Sequence, residues 1–403
     1  MKLIERGKYL DMLVDVLGTP DIKVITGIRR SGKSKLLEAL CDHVREHDPD
    51  ANIIYVNYND VEFEPLLEYH ELLDYVGRQY KRGCANLLCI DEVQMCSGFE
   101  RAINSLHASE RYDIYITGSN AFLLSSDLST LFTGRTFEME VFPFSFREFC
   151  DYYECRDLDA AFDDYVTQGG MSGSYVYKKP EQRRRYVADV FRTLVVRDIR
   201  QRHRIRNVDM LDRVADYMMD NTSNITSASS VASALSANGS KVDTKTVRSY
   251  MRYLVDAFSF YQVRRFDIRG KKYLASGEKF YLADHAFKYA ILGTRNMDWG
   301  RTYENIVAIE LLRRGYEVYV GVLYKKEIDF VAIRQSEKMY IQVSDDISSD
   351  STFRREYEPL LKIRDAYPKM IIARTRHTSY TYEGIEIMDI ASWLAGLGRL
   401  VEG

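Results

Sequence analysis

The sequence lacks the paired cysteines of a zinc site or a disulfide framework. All six of its cysteines fall within the first 155 residues, and no two of them show Cys-x-x-Cys spacing; they are Cys41, Cys84, Cys89, Cys96, Cys150 and Cys155. Cys89 sits inside an apolar run, where a thiol is usually a small buried side chain. The cysteine pattern therefore does not favour a zinc site.

Long hydrophobic runs and an excess of one charge are also missing. The opening stretch MKLIERGKYLDMLVDVLG interrupts each apolar run with a charged residue, so we expect neither a signal-peptide core nor a membrane span. We accordingly expect a cytoplasmic protein that does not act at a membrane. A formal net charge of -3 gives no global basic field, so any contact with nucleic acid has to come from a local patch.

What the chain does contain is enough material for several globular domains. It has 403 residues, of which 46% are hydrophobic and 29% charged, values typical of folded globular proteins. Short apolar runs alternate with helical patterns from the start: IKVIT, NIIYVNY, NLLCID and YDIYIT. This alternation predicts an α/β fold with a parallel sheet flanked by helices.

Four segments follow from these patterns. We predict an N-terminal α/β core, a helical lid or linker, a small unit of the helix-turn-helix or winged-helix type, and a separate C-terminal α/β domain. Their predicted ranges are 1–145, 146–206, 207–284 and 285–403, respectively.

A glycine-rich turn follows the first predicted strand. Residues 27–34 fit G-x-x-x-x-G-K-[ST], with a strand pattern before them and a helical pattern after them. Glycines allow backbone N–H groups to turn toward phosphate oxygens, and the N-terminus of the following helix adds positive potential. The predicted nucleotide contacts are Gly27, Ile28, Arg29, Arg30, Ser31, Gly32, Lys33, Ser34 and Lys35. Lys33 is expected to reach the β- and γ-phosphates, and Ser34 to offer its hydroxyl to Mg²⁺.

A carboxylate pair ends the third predicted strand. Asp91 closes the apolar run NLLCID, and Glu92 follows it directly. We predict that Asp91 holds Mg²⁺, directly or through water, and that Glu92 is the general base for the attacking water. Standing alone, an apolar run that ends in Asp-Glu is also a common strand terminus.

Two further residues complete the predicted catalytic set. The strand YDIYIT is followed by Ser119 and Asn120, of which we favour Asn120 as the residue that orients water or senses the γ-phosphate. Arg135 precedes the next strand and has two interpretations: a surface arginine, or an arginine finger acting at a subunit boundary. The second interpretation requires a homo-oligomer.

A basic stripe marks the predicted middle unit. In DTKTVRSYMRYLVDAF, Asp243 is the expected N-cap, and an apolar face lies opposite a basic one. The helix fits a recognition helix, and it equally fits a surface helix that happens to carry three cations. A turn around Gly270 adds the cations of a possible wing. The nucleic-acid candidates are Lys245, Arg248, Arg252, Arg264, Arg265, Lys271 and Lys272, with Arg269 beside them.

Several sequence blocks resemble the AAA+ ATPases of bacteria and archaea that carry an uncharacterised conserved C-terminal half. The matching blocks include IKVITGIRRSGKS, LLCIDEVQ, YITGSNAFLLS, GRTFEMEVFPFSFREF, GGMSGSY, KFYLADHAFKYAIL and KEIDFVA. The family often has proline after GGM, where this chain has Ser172. The resemblance implies binding and hydrolysis of Mg²⁺-ATP, a P-loop fold, a winged-helix middle and a C-terminal domain similar to the PD-(D/E)XK nucleases.

That last similarity implies a nuclease-type site in which two carboxylates hold Mg²⁺ beside a lysine. The corresponding residues are Glu304, Asp329 and Gln342, whereas Ser344 stands where the lysine is expected. Lys338, on the same strand face, is a substitute only in a rearranged site. We therefore expect a degenerate domain rather than an active nuclease.

The sequence thus predicts an ATP- and Mg²⁺-dependent ATPase whose C-terminal half contacts double-stranded DNA. Two alternatives stay open: a DNA nuclease gated by ATP, and a nucleotide-dependent regulator that binds a protein partner without turnover. The pathway, the partner and the oligomeric state do not follow from the sequence.

Overall fold

A computed structural model describes residues 4, 6–119, 132, 134–193, 199–203, 205, 207–237, 242–270, 272–293, 297–324 and 326–397. The chain forms two compact units, Met1–Phe142 and Pro143–Gly403. Among the described residues, no helix combines the length and apolar character needed to cross a bilayer.

The first unit is built on a five-stranded parallel sheet with the order β2-β3-β4-β1-β5. The strands are β1 (Ile22–Thr26), β2 (Asn52–Asn57), β3 (Asn86–Asp91), β4 (Asp113–Thr117) and β5 (Thr136–Glu140). The described helices are α1 (Gly7–Val14), α2 (Lys33–His47), α3 (Tyr69–Gln79) and α4 (Phe99–Ala108). The four predicted apolar runs are therefore confirmed as β1 to β4.

Burial along these strands follows their place in the sheet. The inner strands β1 and β3 are buried at every residue, whereas the edge strand β2 alternates buried and half-buried residues. Parallel strands that are covered on both faces are mostly apolar, which is why these runs are visible in the sequence.

The second unit begins with helices and continues into one large mixed sheet. Its first helices are α5 (Phe146–Tyr153), α6 (Leu158–Gln168), α7 (Pro180–Arg192), α8 (Ile199–His203), α9 (Val208–Asp220), α10 (Ala228–Ser236) and α11 (Thr244–Asp256). Asp243 caps α11 as predicted, because its carboxylate accepts a hydrogen bond from the Thr246 N–H at 3.1 Å.

Nine strands of this unit form a sheet with the order β13-β14-β12-β11-β10-β9-β7-β8-β6. These strands are β6 (Ile225–Thr226), β7 (Phe260–Asp267), β8 (Lys272–Leu282), β9 (Glu317–Leu323), β10 (Lys326–Arg334), β11 (Glu337–Ser344), β12 (Lys369–Ala373), β13 (Tyr380–Tyr382) and β14 (Ile385–Asp389). The remaining described helices are α12 (Ala286–Leu292), α13 (Trp299–Arg313), α14 (Asp350–Leu361) and α15 (Ile390–Leu394).

The sheet differs from the predicted division of the C-terminal half. The β7–β8 hairpin, expected to be the wing of a separate unit, joins the sheet of the following segment because β7 pairs with β9 in parallel. The predicted boundary at 284/285 therefore falls within one continuous sheet. By contrast, the predicted end of the first domain at residue 145 lies close to the observed division after Phe142.

Candidate phosphate-binding site and acidic cluster

The loop between β1 and α2 has a backbone that only glycine fits at its first position. Gly27 has φ +129°, and a Cβ there would lie 2.3 Å from the carbonyl oxygen of Val141. Gly32 caps α2 with φ +102°. These left-handed conformations favour glycine, and they lead the chain directly into the N-terminus of α2, where backbone N–H groups bind anions.

Lys33 is buried at the start of α2 and lies back over the loop. Its ammonium donates to the carbonyl oxygens of Gly27 at 2.9 Å and Ile28 at 3.1 Å. Burial lowers the pKa of Lys33, while the carboxylates of Glu92 and Asp91 act in the opposite direction. The two acidic residues predicted at the end of β3 are thus close enough to act on this lysine.

Asp91 lies fully buried at the carboxyl end of β3. The Thr117 hydroxyl, at the end of the neighbouring β4, donates to its Oδ1. Burial raises the pKa of Asp91, and the nearby hydroxyls of Ser34 and Thr117 oppose that rise. The two predicted magnesium ligands, Ser34 and Asp91, are therefore neighbours.

Glu92 occupies a left-handed conformation, with φ 57° and ψ 47°, which is uncommon for a residue with a side chain. Its N–H donates to the Thr117 hydroxyl at 3.0 Å. Its carboxylate accepts hydrogen bonds from the Gln94 amide and, at 3.2 Å, from the Ser119 hydroxyl. Residues at the ends of two adjacent strands thus hold the predicted general base.

Three buried oxygens at this edge of the sheet have no hydrogen-bond partner within the described part of the chain: Thr26 Oγ1, Ser31 Oγ and Asp91 Oδ2. Buried oxygens are ordinarily paired, so unpaired ones call for an explanation. A phosphate group and a hard cation, which prefers oxygen ligands, fit this set of donors and acceptors.

The other predicted contacts are less uniform. Lys35 points outward, and its ammonium lies 2.5 Å from a Glu38 carboxylate oxygen. Arg30 is exposed with φ 64°, and Arg29 is half-buried. Asn120, the favoured sensor, lies outside the described residues.

Arg135 is exposed just before β5, and its carbonyl oxygen accepts from the Ile22 N–H at 2.9 Å. Ile22 begins β1, whereas the phosphate loop follows the end of β1. Arg135 therefore lies at the opposite edge of the parallel sheet from the loop of its own unit.

Sequence reasoning missed Arg6. Its guanidinium is buried and donates to the carbonyl oxygens of Ser31 at 2.8 Å and Phe142 at 3.0 Å. It also lies over the Tyr9 ring, 4.4 Å from the centroid. Nothing local to Arg6 signals this role, because its partners are 25 and 136 residues away in the chain.

The nucleic-acid candidates divide into exposed and inward-facing residues. Lys245, Arg248 and Arg252 are exposed on α11, opposite its buried apolar face, and Arg264 is exposed on β7. Arg265 is half-buried, so the structure does not place it on an open surface. Lys271 and the Lys272 side chain lie outside the described part of the chain.

The predicted nuclease-type residues do come together. Glu304 lies on α13 and Asp329 on β10, and both are within 4.0 Å of one ammonium group. Gln342 accepts from the Asp329 N–H at 2.7 Å and donates to Glu356 at 2.9 Å. Gln342 therefore ties β10 to α14 through polar contacts.

The ammonium group in this cluster belongs to Lys279 of β8, which sequence reasoning missed. Lys338, the substitute considered from the sequence, lies elsewhere: its ammonium is 3.9 Å from Asp365 and 4.8 Å from the Tyr340 ring centroid. Ser344 donates to the carbonyl oxygen of Asp346 at 2.9 Å. Lys338 is therefore not part of this cluster, and the substitute role considered for it from the sequence is wrong.

Comparisons with known proteins agree with this architecture. A family model described as an AAA domain matches residues 19–150, and a model of a domain of unknown function (DUF8612) matches residues 159–298. A Walker-type ATPase of Pyrococcus abyssi is similar in structure, with a TM-score of 0.51 at 15% identity, over 72% of this chain and 95% of that one. The family match identifies an AAA domain at residues 19–150, and the likeness to the Pyrococcus protein shows a shared fold.

Two relatives extend over most of the chain. An uncharacterized protein of Haemophilus influenzae is 32% identical over 398 residues, which cover 97% of this chain and 98% of that protein. An uncharacterized protein of Methanocaldococcus jannaschii is 25% identical over 382 residues, covering 90% and 84%, respectively. The chain therefore belongs to the same family as the Haemophilus protein.

Proposed function

We propose that this protein hydrolyses Mg²⁺-bound ATP at the loop between β1 and α2 and couples that reaction to contacts with double-stranded DNA. The convergence of Lys33, Asp91 and Glu92 carries the ATPase half of the proposal, because the Lys33 ammonium and both carboxylates interact at one edge of the sheet. Glycine-rich turns that lead into a helix are suited to phosphate binding.

Different residues of the site bind the phosphate groups and the metal ion. The Lys33 ammonium exchanges its loop carbonyls for phosphate oxygens, which accept hydrogen bonds and also carry negative charge. Ser34 and Asp91 hold Mg²⁺, which neutralises charge on the phosphate oxygens when bound. The unpaired Asp91 Oδ2 is the oxygen available for that role.

Glu92 acts as the general base for water. Its carboxylate is fixed by Gln94 and Ser119, and its left-handed backbone fixes the direction in which the side chain leaves β3. A base positioned in this way accelerates proton transfer by about 10²–10⁴-fold. We also propose that Asn120 senses the γ-phosphate, in line with its position after Ser119.

Arg135 can contribute to catalysis only at the phosphate site of a second copy of the chain. Because it lies at the far edge of its own sheet, it reaches a phosphate site as an arginine finger only in trans. That role makes homo-oligomerisation part of the proposal. If the enzyme is monomeric and its turnover per chain is independent of protein concentration, the arginine-finger role of Arg135 is wrong.

The DNA half of the proposal is supported by α11. Lys245, Arg248 and Arg252 form an exposed basic stripe, and the opposite face packs into the core. Cations that neutralise phosphates give an affinity that falls steeply with salt. We infer that this stripe, with Arg264, is the DNA-contacting surface.

The test is phosphate release with and without double-stranded DNA for wild type, Glu92→Gln and Arg252→Glu. Glu92→Gln should bind ATP and release no phosphate. DNA should raise turnover in wild type, and Arg252→Glu should keep basal turnover but lose most of this stimulation.

Arg185→Glu is the matched control for the DNA arm. Both arginines are well exposed on helices, and each faces an aspartate at i+4, Asp256 for Arg252 and Asp189 for Arg185. If Arg185→Glu abolishes stimulation and Arg252→Glu does not, the DNA surface lies on α7. If DNA changes turnover in none of the proteins, the coupled partner is a protein, and ATP binding without any phosphate release would indicate a regulator.

A further inference from the structure

A cavity of about 310 Å³ lies between three helices of the second unit, α6, α7 and α12. Arg184, which lines it, is exposed, whereas the lining residues Val187 and Ala286 are buried. The cavity therefore leads from the surface inward. Protein interiors leave few voids larger than a water molecule, and pockets of about 300–1,000 Å³ are typical of sites for small ligands.

The same helices pack closely next to the cavity. Gly169 directly follows α6, and a Cβ at this position would lie only 2.5 Å from the Cβ of Ala286 on α12. The rings of Phe191 on α7 and Phe287 on α12 have their centroids 5.2 Å apart. Because these neighbouring contacts are tight, the cavity is a local opening and not a sign of loose packing throughout the unit.

Two arginines of α7 supply hydrogen-bond donors to the cavity. The Arg183 Nε–H donates to the carbonyl oxygen of Tyr177 at 2.7 Å, which orients the guanidinium. Within the described part of the chain, the terminal nitrogens of Arg183 and the whole guanidinium of Arg184 make no further hydrogen bond or ion pair. A guanidinium presents N–H donors in a planar fork that matches the two oxygens of a carboxylate.

Residues of α6 complete the polar lining. Gln168 Oε1 accepts a hydrogen bond from the Tyr153 hydroxyl at 3.1 Å, so the amide N–H groups of Gln168 are left as donors. The lining residues include one carboxylate, that of Asp164, beside the two arginines. Two positive charges and one negative charge leave a formal charge of +1, which favours a ligand with a single negative charge.

The rest of the lining is mostly apolar. Val187, Ala286 and Ala290 contribute aliphatic side chains. Tyr289 shares its hydroxyl in a hydrogen bond with Thr302, so it offers its ring to the cavity. An apolar cavity of roughly 150 Å³ is large enough to bind benzene. The cavity between α6, α7 and α12 therefore has room for an aromatic ring that carries a short side chain.

We propose that this cavity is a binding site for a small organic acid with one carboxylate and an aromatic body. The carboxylate is bound by Arg183 and Arg184, and the aromatic body packs against Val187, Ala286 and Ala290. All of these residues belong to the second unit, so the proposal does not depend on hydrolysis of ATP or on contact with DNA.

The experiment is a calorimetric titration of the full-length, nucleotide-free protein with cinnamate, an aromatic monocarboxylate. Wild type should bind one cinnamate per chain, and cinnamate should raise its melting temperature. Cinnamamide has nearly the same shape but no charge, so it should bind at least about tenfold more weakly, as is typical when charged hydrogen bonds are lost. Equal binding of the two probes by wild type contradicts the proposal, and so does a lack of cinnamate binding.

Arg184→Gln and Arg185→Gln test the assigned donor. Both residues are exposed on α7, but Arg185 does not line the cavity and instead lies 3.9 Å from Asp189. Arg184→Gln should weaken cinnamate binding about tenfold, whereas Arg185→Gln should bind as wild type does. Asp164→Asn removes the one negative charge of the lining and should bind at least as tightly as wild type. An equal loss in the two arginine variants would assign the effect to the general charge of α7 and overturn the site.

Ala290→Phe and Leu292→Phe test the location. Ala290 lines the cavity, so the larger side chain should fill it and abolish binding. Leu292 is an exposed residue of the same helix outside the lining, and Leu292→Phe should bind normally. Circular dichroism establishes that each variant is folded. Cinnamate binding that persists in a folded Ala290→Phe would place the ligand elsewhere and contradict the proposal.

Discussion

The Arg6 guanidinium donates a hydrogen bond to the Ser31 carbonyl oxygen at 2.8 Å, which ties the start of the chain to the phosphate loop. The same group donates to Phe142, at the end of the first unit. Arg6 therefore holds the phosphate loop through a backbone carbonyl oxygen. A side-chain substitution within the loop would leave that oxygen in place.

We predict that Arg6→Ala weakens ATP binding and destabilises the loop. Two carbonyl oxygens lose a charged donor, and such a hydrogen bond contributes about 1.5–3 kcal/mol. Hydrogen exchange in peptides covering residues 22–47 measures the local effect, and binding of a non-hydrolysable ATP analogue measures the functional one. Lys8→Ala, which removes an exposed cation two residues away, should change neither. Equal protection of the loop in Arg6→Ala and wild type would show that Arg6 does not brace it.

Gly27 gives a second prediction, because its position combines a left-handed backbone with a close approach. In Gly27→Ala the new Cβ would meet the Val141 carbonyl oxygen at 2.3 Å, so β1 and the chain after β5 must separate. We expect a loss of about 3 kcal/mol or more, together with loss of ATP binding.

Gly83→Ala separates the two causes. Gly83 has φ +90° but nothing within 4 Å of an added Cβ, so this variant carries the backbone strain alone, about 1 kcal/mol. The stabilities of Gly27→Ala and Gly83→Ala are compared by hydrogen exchange of β1 and by urea unfolding followed by circular dichroism. A Gly27→Ala protein as stable as Gly83→Ala would mean that the contact with Val141 relaxes easily.

Much of the first unit could be predicted because its information is local. Buried parallel strands are mostly apolar, and the phosphate loop needs glycine at fixed offsets from a lysine, so both features are visible in short windows. The pairing of β7 with β9 could not be predicted in this way. The two strands are far apart in the chain, and no local pattern states which strand lies beside which.

The same limit applies to the sites. Lys33, Asp91 and Glu92 belong to motifs, whereas Thr117 and Lys279 act through partners on other strands. Strand alternation placed Lys338 on the face of Gln342, but the acidic cluster takes its lysine from β8 instead. The alternation of side chains along a strand predicts which face of the sheet a residue lies on, but not which other strands lie beside it.

Thr117 contacts both predicted catalytic carboxylate residues, since its hydroxyl donates to Asp91 and accepts from the Glu92 N–H. We predict that Thr117→Val lowers the rate of ATP hydrolysis by roughly 10–100-fold, as is typical when a partner of a metal ligand is lost. Thr117→Ser keeps the hydroxyl and should retain most of the activity.

The pH profile distinguishes this role from a general loss of structure. The Thr117 hydroxyl lowers the pKa of Asp91 against the effect of burial, so its removal should raise that pKa further. Asp91 has to be ionised to hold a cation, so activity falls as the pH falls through this pKa. The acid limb of kcat/KM should therefore move to higher pH in Thr117→Val. An unchanged limb with reduced activity would assign the loss to something other than Asp91.

Asp284 joins two sequence blocks that carried the family resemblance. Its carboxylate is buried and accepts from the Gly170 N–H at 2.7 Å and the Ala286 N–H at 2.9 Å, linking the GGM block to the ADHA block. Both blocks thus meet in one structural contact of the second unit. We predict that Asp284→Ala lowers the free energy of unfolding of this unit by about 2–4 kcal/mol, since two buried donors lose their acceptor.

Asp284→Asn tests the charge separately from the shape. Burial raises the pKa of Asp284 above its ordinary value of 3.8, although the neighbouring His285 and backbone hydrogen bonds oppose the rise. The folded protein therefore binds this proton more tightly than the unfolded chain, and the free energy of unfolding falls as pH rises from the ordinary pKa through the raised one. The amide of Asp284→Asn does not titrate, so the stability difference between wild type and this variant should shrink or reverse over that interval.

Urea unfolding followed by the fluorescence of Trp299 and Trp393 measures this stability difference. The control is Asp345→Asn, because Asp345 is an exposed carboxylate of the same unit. A difference that stays constant with pH would mean that Asp284 is ionised throughout and that its two N–H donors outweigh its burial.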